Sequence, residues 1–209
     1  MKQALKTIGF MVLIAFVFGA GVTGIRLATR ETLERNRDLA FQRALVTVFS
    51  LAEGETNPDY AKLYRERIVA GTMTDPQTGR DIPVYTAYAD ATRQTPAAVG
   101  FAFTGLGFWG PISGVVALDL DRRTTRGLVI LEQQETPGLG GRVAEEEFTG
   151  QFRRGLTIAA DAERSLRVDT ITGATQTSMA MDRMLNEALL AYGRAWQAAN
   201  QGGQTDGLR

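Results

Sequence analysis

The residues best equipped to hold an anion are Asp169-Thr170-Ile171-Thr172-Gly173-Ala174-Thr175, which run into Gln176-Thr177-Ser178 and then a long amphipathic stretch. Hydroxyls and a glycine at the opening of a helix present free backbone N–H groups together with the positive end of the helix macrodipole, an arrangement that takes a phosphate. The same residue types also serve as plain N-caps, because Ser and Thr are favoured at helix starts. Two further segments could wall a ligand. Gly105-Leu106-Gly107-Phe108-Trp109-Gly110-Pro111-Ile112 combines glycines that let backbone approach a ring with two aromatics that can lie against one. That composition equally makes a hairpin connection with a buried Trp109. In Glu135-Thr136-Pro137-Gly138-Leu139-Gly140-Gly141, Pro137 fixes φ and Gly138 supplies a position with φ above zero. The result is a rigid turn with backbone N–H groups and one carboxylate, which can be no more than a connection.

These segments need a scaffold, and the pattern of apolar residues supplies one. Val99 to Thr104, Gly114 to Leu120 and Arg126 to Glu132 are short apolar runs between glycine-rich or charged turns, which reads as three strands. Connections too short for crossover helices imply antiparallel pairing. Tyr85 and Tyr88 fall in a further short strand over Pro83 to Ala89, within a Gly-, Pro- and Asp-punctuated stretch from Ala52 to Pro96 that reads as short elements and loops. Ala144 to Phe152 is expected as a short helix, Leu166 to Ile171 as a strand leading into the hydroxyl cluster, and Ser178 to Trp196 as a helix. The apolar face of that helix is Met181, Met184, Leu185, Ala188, Leu189, Tyr192 and Trp196. The fold class is therefore α+β, a largely antiparallel twisted sheet flanked by helices.

From Thr7 to Ile25 the chain carries no charged residue, close to the roughly twenty apolar residues that span a bilayer. A cleaved signal peptide competes, but the run exceeds a signal core of about 7–15 residues and leads straight into a charged helical segment, so an uncleaved transmembrane anchor is favoured. Lys2 and Lys6 precede the span while Arg26, Arg30, Arg35, Arg37 and Arg43 follow it, so counting basic residues leaves orientation open. Beyond it, Leu33, Phe41, Leu45, Val48 and Phe49 form a partial helical stripe. The expected organisation is an anchor over 1–30, a linking helix and loop-rich segment over 31–98, a ligand-binding domain over 99–199 and a mobile tail over 200–209.

Composition narrows the chemistry. The 209 residues hold 23 Lys and Arg against 23 Asp and Glu, which gives no basic excess for nucleic acid. With no Cys and no His, thiolate and imidazole metal sites, Cys nucleophiles and the Ser-His-Asp arrangement are excluded. No catalytic residues and no metal site are expected, and redox chemistry would need an organic cofactor.

The hydroxyl cluster resembles the flavin-attachment motif Asp-x-x-(Ser/Thr)-Gly-Ala-Thr of the FMN-binding subunits of the Na+-translocating NADH:quinone reductase (C subunit) and the Rnf complex (G subunit). The Glu135 to Gly140 run resembles that family's second hallmark, and the Gly105 to Ile112 segment looks like its C subunits, as does Phe148-x-x-Gln151-Phe152. Many members carry His where this chain has Gln133. The resemblance implies covalent FMN as a phosphoester on Thr175, with Asp169, Thr172, Gly173, Ala174, Thr177 and Ser178 around the phosphate and helix start. It implies that Glu135, Thr136, Gly138, Leu139, Gly140 and Trp109 frame the ring. It further implies a separate flavin transferase using FAD and Mg2+, other membrane subunits of a redox complex as partners, a cytoplasmic N-terminus and a periplasmic flavin domain at the bacterial inner membrane. The expected function is an electron-relay subunit of an ion-translocating oxidoreductase. The alternatives are a stand-alone membrane-anchored flavoprotein and a cofactor-free structural or assembly subunit.

Overall fold

The computed structural model of the chain describes residues 2–157 and 166–201; of the tail expected over 200–209, Asn200 and Gln201 instead end a helix, and the rest lies outside the described residues. Contacts divide the chain after Ala40. Helix α1, Lys2–Val48, contains no proline and opens with the apolar run, which is long and apolar enough to cross a membrane. Within it, the Thr7 and Thr29 hydroxyls donate to the carbonyls of Gln3 and Ile25 one turn back, which satisfies them without a neighbouring element. Its charged continuation carries the i,i+4 pairs Arg30–Glu34 and Arg35–Glu31. Leu33, expected on the apolar stripe, is exposed.

From Phe41 onward, five strands form one antiparallel meander in sequence order: β1 Ile68–Thr74, β2 Asp81–Tyr88, β3 Pro96–Leu106, β4 Pro111–Asp119 and β5 Thr125–Gln133. Strand β1 lies in the stretch that reads as short elements and loops, where no strand is assigned to these residues. It is a sheet edge with few buried side chains, so its sequence carries little apolar alternation. Both faces of the sheet are covered, which is why the central strands are apolar at successive positions rather than at alternate ones. On one face Val99, Phe101, Phe103, Val116 and Leu118 pack against α3 (Glu146–Arg153) and α4 (Thr175–Gln201). On the other, Tyr85, Ala87, Ala98, Val115 and Ala117 meet Leu45, Val46, Val48 and Phe49 at the end of α1, flanked by α2 (Tyr60–Arg67). Gly100 must lack a side chain here, because a Cβ would sit 2.8 Å from the Phe49 ring and 3.1 Å from the Val116 carbonyl.

The helix expected over Ala144 to Phe152 is α3, which starts at Glu146; the extended Glu145 separates it from a 3-10 turn at Gly140–Ala144. The expected strand over Leu166 to Ile171 is not a strand. Its backbone is satisfied by side chains instead of a neighbouring strand. Asn186 on α4 accepts from the Leu166 N–H at 2.8 Å and donates to the Leu166 carbonyl at 2.9 Å. Gln151 on α3 accepts from the Asp169 N–H at 2.7 Å, and Ser178 accepts from the Ile171 N–H at 3.1 Å. Sequence alternation reports a half-buried extended chain and not what pairs with it.

Asp75 and Arg194 join the β1–β2 turn to α4 through two hydrogen bonds, at 3.0 and 2.6 Å. The Arg194 guanidinium holds the Asp75 carboxyl far below the usual carboxylate range, against the opposing effect of burial. A carboxyl depressed in the folded state adds stability above its ordinary range, and that contribution is lost as pH falls through the depressed value. Acid unfolding of the wild type should therefore steepen below about pH 4, where unfolded carboxylates begin to bind protons. Asp75→Asn should lower the neutral-pH melting temperature and flatten that acid limb, as followed by circular dichroism. Asn186→Leu leaves two buried backbone groups of Leu166 unpaired, and urea unfolding should show a loss of about 3 kcal/mol.

Candidate functional site

Three segments distant in sequence meet around one open cleft of about 300 Å³: the β3–β4 hairpin tip, the turn after β5 and the start of α4. The tip places Phe108 and Trp109 between Gly107 and Gly110, with the Gly107 N–H donating to the Gly110 carbonyl at 2.9 Å. It is the hairpin that the glycines suggest, but Trp109 is 73% exposed rather than buried. The Phe108 and Trp109 rings meet edge to face at 5.4 Å, and Leu139 stands exposed on the neighbouring turn. Apolar side chains left in solvent around a concavity mark a place where something binds.

Behind this rim lies Glu135, 5% exposed. One carboxylate oxygen accepts from the N–H groups of Trp109 at 2.9 Å and Gly110 at 3.3 Å; the other accepts from the Thr177 hydroxyl at 2.7 Å. Burial alone would push this carboxyl up. The hydrogen bonds from Thr177, Trp109, Gly110 and Phe108 outweigh it and hold the carboxyl below its ordinary value, so Glu135 is an anion at neutral pH. Gln133 supports the turn by accepting from the Glu135 N–H at 2.7 Å. The glycines of this site follow from the same carboxylate. A Cβ on Gly107 or Gly140 would run into the Glu135 oxygens, and the one on Gly140 would also meet the Thr177 hydroxyl.

The α4 start is set by a tight turn over Ile171 to Ala174. The Ala174 N–H donates to the Ile171 carbonyl at 2.9 Å, and Gly173 takes φ +83°, the left-handed conformation that a type II turn requires. Arg142 steadies this turn, donating to the Thr172 carbonyl at 3.0 Å while its other nitrogens face Glu145 and Glu147. The first hydrogen bond of α4 runs from the Ser178 N–H to the Ala174 carbonyl. The N–H groups of Thr175, Gln176 and Thr177 therefore lie ahead of the helical ladder and form the positive end of the dipole. Thr175, at the first helical position, is exposed and lines the cleft.

Of the residues singled out from the sequence, Trp109, Glu135, Thr136, Leu139, Gly140, Gly173, Ala174, Thr175 and Thr177 line the cleft together. Four do not. Asp169 is exposed and its N–H is taken by Gln151. Thr172 contributes its carbonyl to Arg142. Ser178 is wholly buried, donating to the Ala174 carbonyl and accepting from the Ile171 N–H, so it works inside the helix start. Gly138 makes the turn, with φ +74° and open space around it. Phe108 and Gln176 join the lining, and Arg142, Gln151 and Asn186 hold its frame. Gln151 carried a readable signal: a glutamine flanked by Phe148 and Phe152 on the buried side of a short helix needs a hydrogen-bond partner. Arg142 carried none.

Residues 107–190 match the FMN-binding domain family. Over 88% of its length the chain is 26% identical to the C subunit of the Na(+)-translocating NADH-quinone reductase of Pseudomonas aeruginosa, covering 91% of that protein. Over 40% of its length it is 33% identical to the G subunit of the proton-translocating ferredoxin:NAD(+) oxidoreductase complex of Clostridium ljungdahlii, spanning 46% of that protein. The crystal structure of Shewanella oneidensis NqrC shares the fold, with a TM-score of 0.67 and 18% identity over 80% of this chain and 99% of that one.

The packing of the glycines against Glu135 yields a direct expectation. Gly140→Ala should displace Glu135 and Thr177 and destabilise the domain by about 1–3 kcal/mol, as overpacking of a filled site does. Thermal unfolding of the two proteins side by side measures it.

Proposed function

From the match of residues 107–190 to the FMN-binding domain family, we propose that the chain is a membrane-anchored electron-relay subunit carrying covalent FMN within an ion-translocating oxidoreductase complex. The observation that carries the reading is the convergence of three separate segments on one cleft, with the exposed Thr175 where the free N–H groups of α4 begin.

The residues suit the group. Thr175, Gln176 and Thr177 offer backbone N–H groups and a helix dipole to a phosphate, and the turn at Gly173 leaves room for it. Trp109, Phe108 and Leu139 offer apolar surface to a planar ring. The free N–H groups at the α4 start favour the phosphate there, and the exposed Phe108, Trp109 and Leu139 favour the ring toward the glycine-rich turns. When bound, FMN supplies reversible electron transfer. A phosphoester between Thr175 Oγ and the FMN phosphate keeps the cofactor in place without relying on affinity alone. No His or Cys is present to activate Thr175, which favours attachment by a separate flavin transferase. Opening of the cleft to solvent suits a relay, whose cofactor must reach donor and acceptor groups on partner subunits. The apolar N-terminal helix serves as the anchor, and the resemblance to the C and G subunits favours the periplasmic side for the domain.

Intact-mass measurement of the purified chain should show one added FMN less one water. Thr175→Ala should remove that mass and the fluorescence of the protein band after denaturing electrophoresis, with the circular dichroism spectrum unchanged. A fluorescent band in the variant refutes the attachment at Thr175. A wild-type chain with neither flavin absorbance nor added mass favours the cofactor-free assembly subunit.

A further inference from the structure

We propose that Glu135 tunes the reduction potential of the ring seated in the cleft: its carboxylate holds a fixed negative charge at the cleft wall and opposes electron uptake there. The inference rests on the flavin reading of the cleft. Three features carry it. Glu135 is both part of the cleft lining and almost wholly buried, so water screens its charge poorly. Every group donating to it is neutral, three backbone N–H groups and the Thr177 hydroxyl, so its charge is stabilised without being cancelled. No Lys or Arg is among the described residues lining the cleft. Arg142, in the frame of the site, is turned to the Thr172 carbonyl and to Glu145 and Glu147.

Each electron taken up by a neutral ring adds negative charge beside this carboxylate, and the repulsion shifts the midpoint downward. The arrangement also explains why an anion is kept where no cation pairs with it. A full charge at this place imposes a stronger field on the cleft than the neutral dipoles around it.

The test is a reductive titration of the full-length, flavin-loaded chain in detergent. Dithionite supplies the electrons and is oxidised to sulfite, and a reference dye reports the midpoint. Glu135→Gln keeps one oxygen to accept from the Trp109 and Gly110 N–H groups, while the Thr177 hydroxyl can rotate to accept from the new amide. Its midpoint should move positive. Thr177→Val removes a donor whose dipole partly offsets the carboxylate and leaves the charge in place, so its midpoint should move negative. Gln133→Leu loosens the same turn without touching the charge, and its midpoint should stay with the wild type. Opposite shifts in the first two variants support the proposal. An unchanged or more negative midpoint in Glu135→Gln overturns it, as does an equal positive shift in Gln133→Leu. If Glu135→Gln yields no folded flavoprotein, Thr177→Val decides, and an unchanged or raised midpoint there is fatal. A wild-type chain without flavin sinks the flavin reading itself, whereas a loaded chain indifferent to these substitutions sinks only the role of Glu135.

Discussion

The candidate site depends on one buried carboxylate. Glu135 is bound from the β3–β4 hairpin by the N–H groups of Trp109 and Gly110 and from α4 by the Thr177 hydroxyl, so a single anion holds three remote segments together. Burying a carboxylate is costly unless its lone pairs are met, and here they are met by directional donors, which can be reached in only one arrangement of the three segments. The glycines around it are consequences of that packing: Gly107 and Gly140 approach the carboxylate so closely that no side chain fits. The apolar rim of Phe108, Trp109 and Leu139 is exposed because the segments that carry it are committed to this polar junction instead of to the core.

Side chains do comparable work on the approach to Thr175. Asn186, Gln151 and Ser178 replace a neighbouring strand for the residues from Leu166 to Ile171, and Arg142 holds the Thr172 carbonyl. Each comes from a helix or turn packed on the sheet, so the position of Thr175 is tied to the core formed by Phe148, Phe152, Met181 and Leu185. A threonine at the first position of a helix is a common capping feature. What distinguishes Thr175 is that the turn before it and the helix after it are both fixed to the sheet, with the residue left exposed in the lining of a cleft.

Much of this was legible in the amino-acid order. Apolar runs bounded by turn residues located β3, β4, β5 and most of β2, because a strand covered on both faces must be apolar almost throughout. The periodicity of Met181, Met184, Leu185, Leu189 and Tyr192 located α4, and the uncharged run of α1 located its apolar helix. The glycines, Pro137 and the hydroxyl cluster marked the three segments that line the cleft, since turns with special dihedral angles and helix starts have local composition requirements. Strand β1 escaped because an edge with few buried positions imposes little pattern.

The sequence by itself determined what is local: helix and strand periods, turn chemistry, the absence of His and Cys, and the residue types at the three segments. Only the tertiary structure decided which groups satisfy one another. That Glu135 is met by Thr177, that Leu166 is held by Asn186 rather than by a strand, and that Trp109 faces solvent are outcomes of proximity in space. Residues 42 positions apart, such as Glu135 and Thr177, share no local signal. A hydrogen-bonding group pairs with whatever the packed core brings within about 3 Å, and that is a property of the folded chain and not of its order.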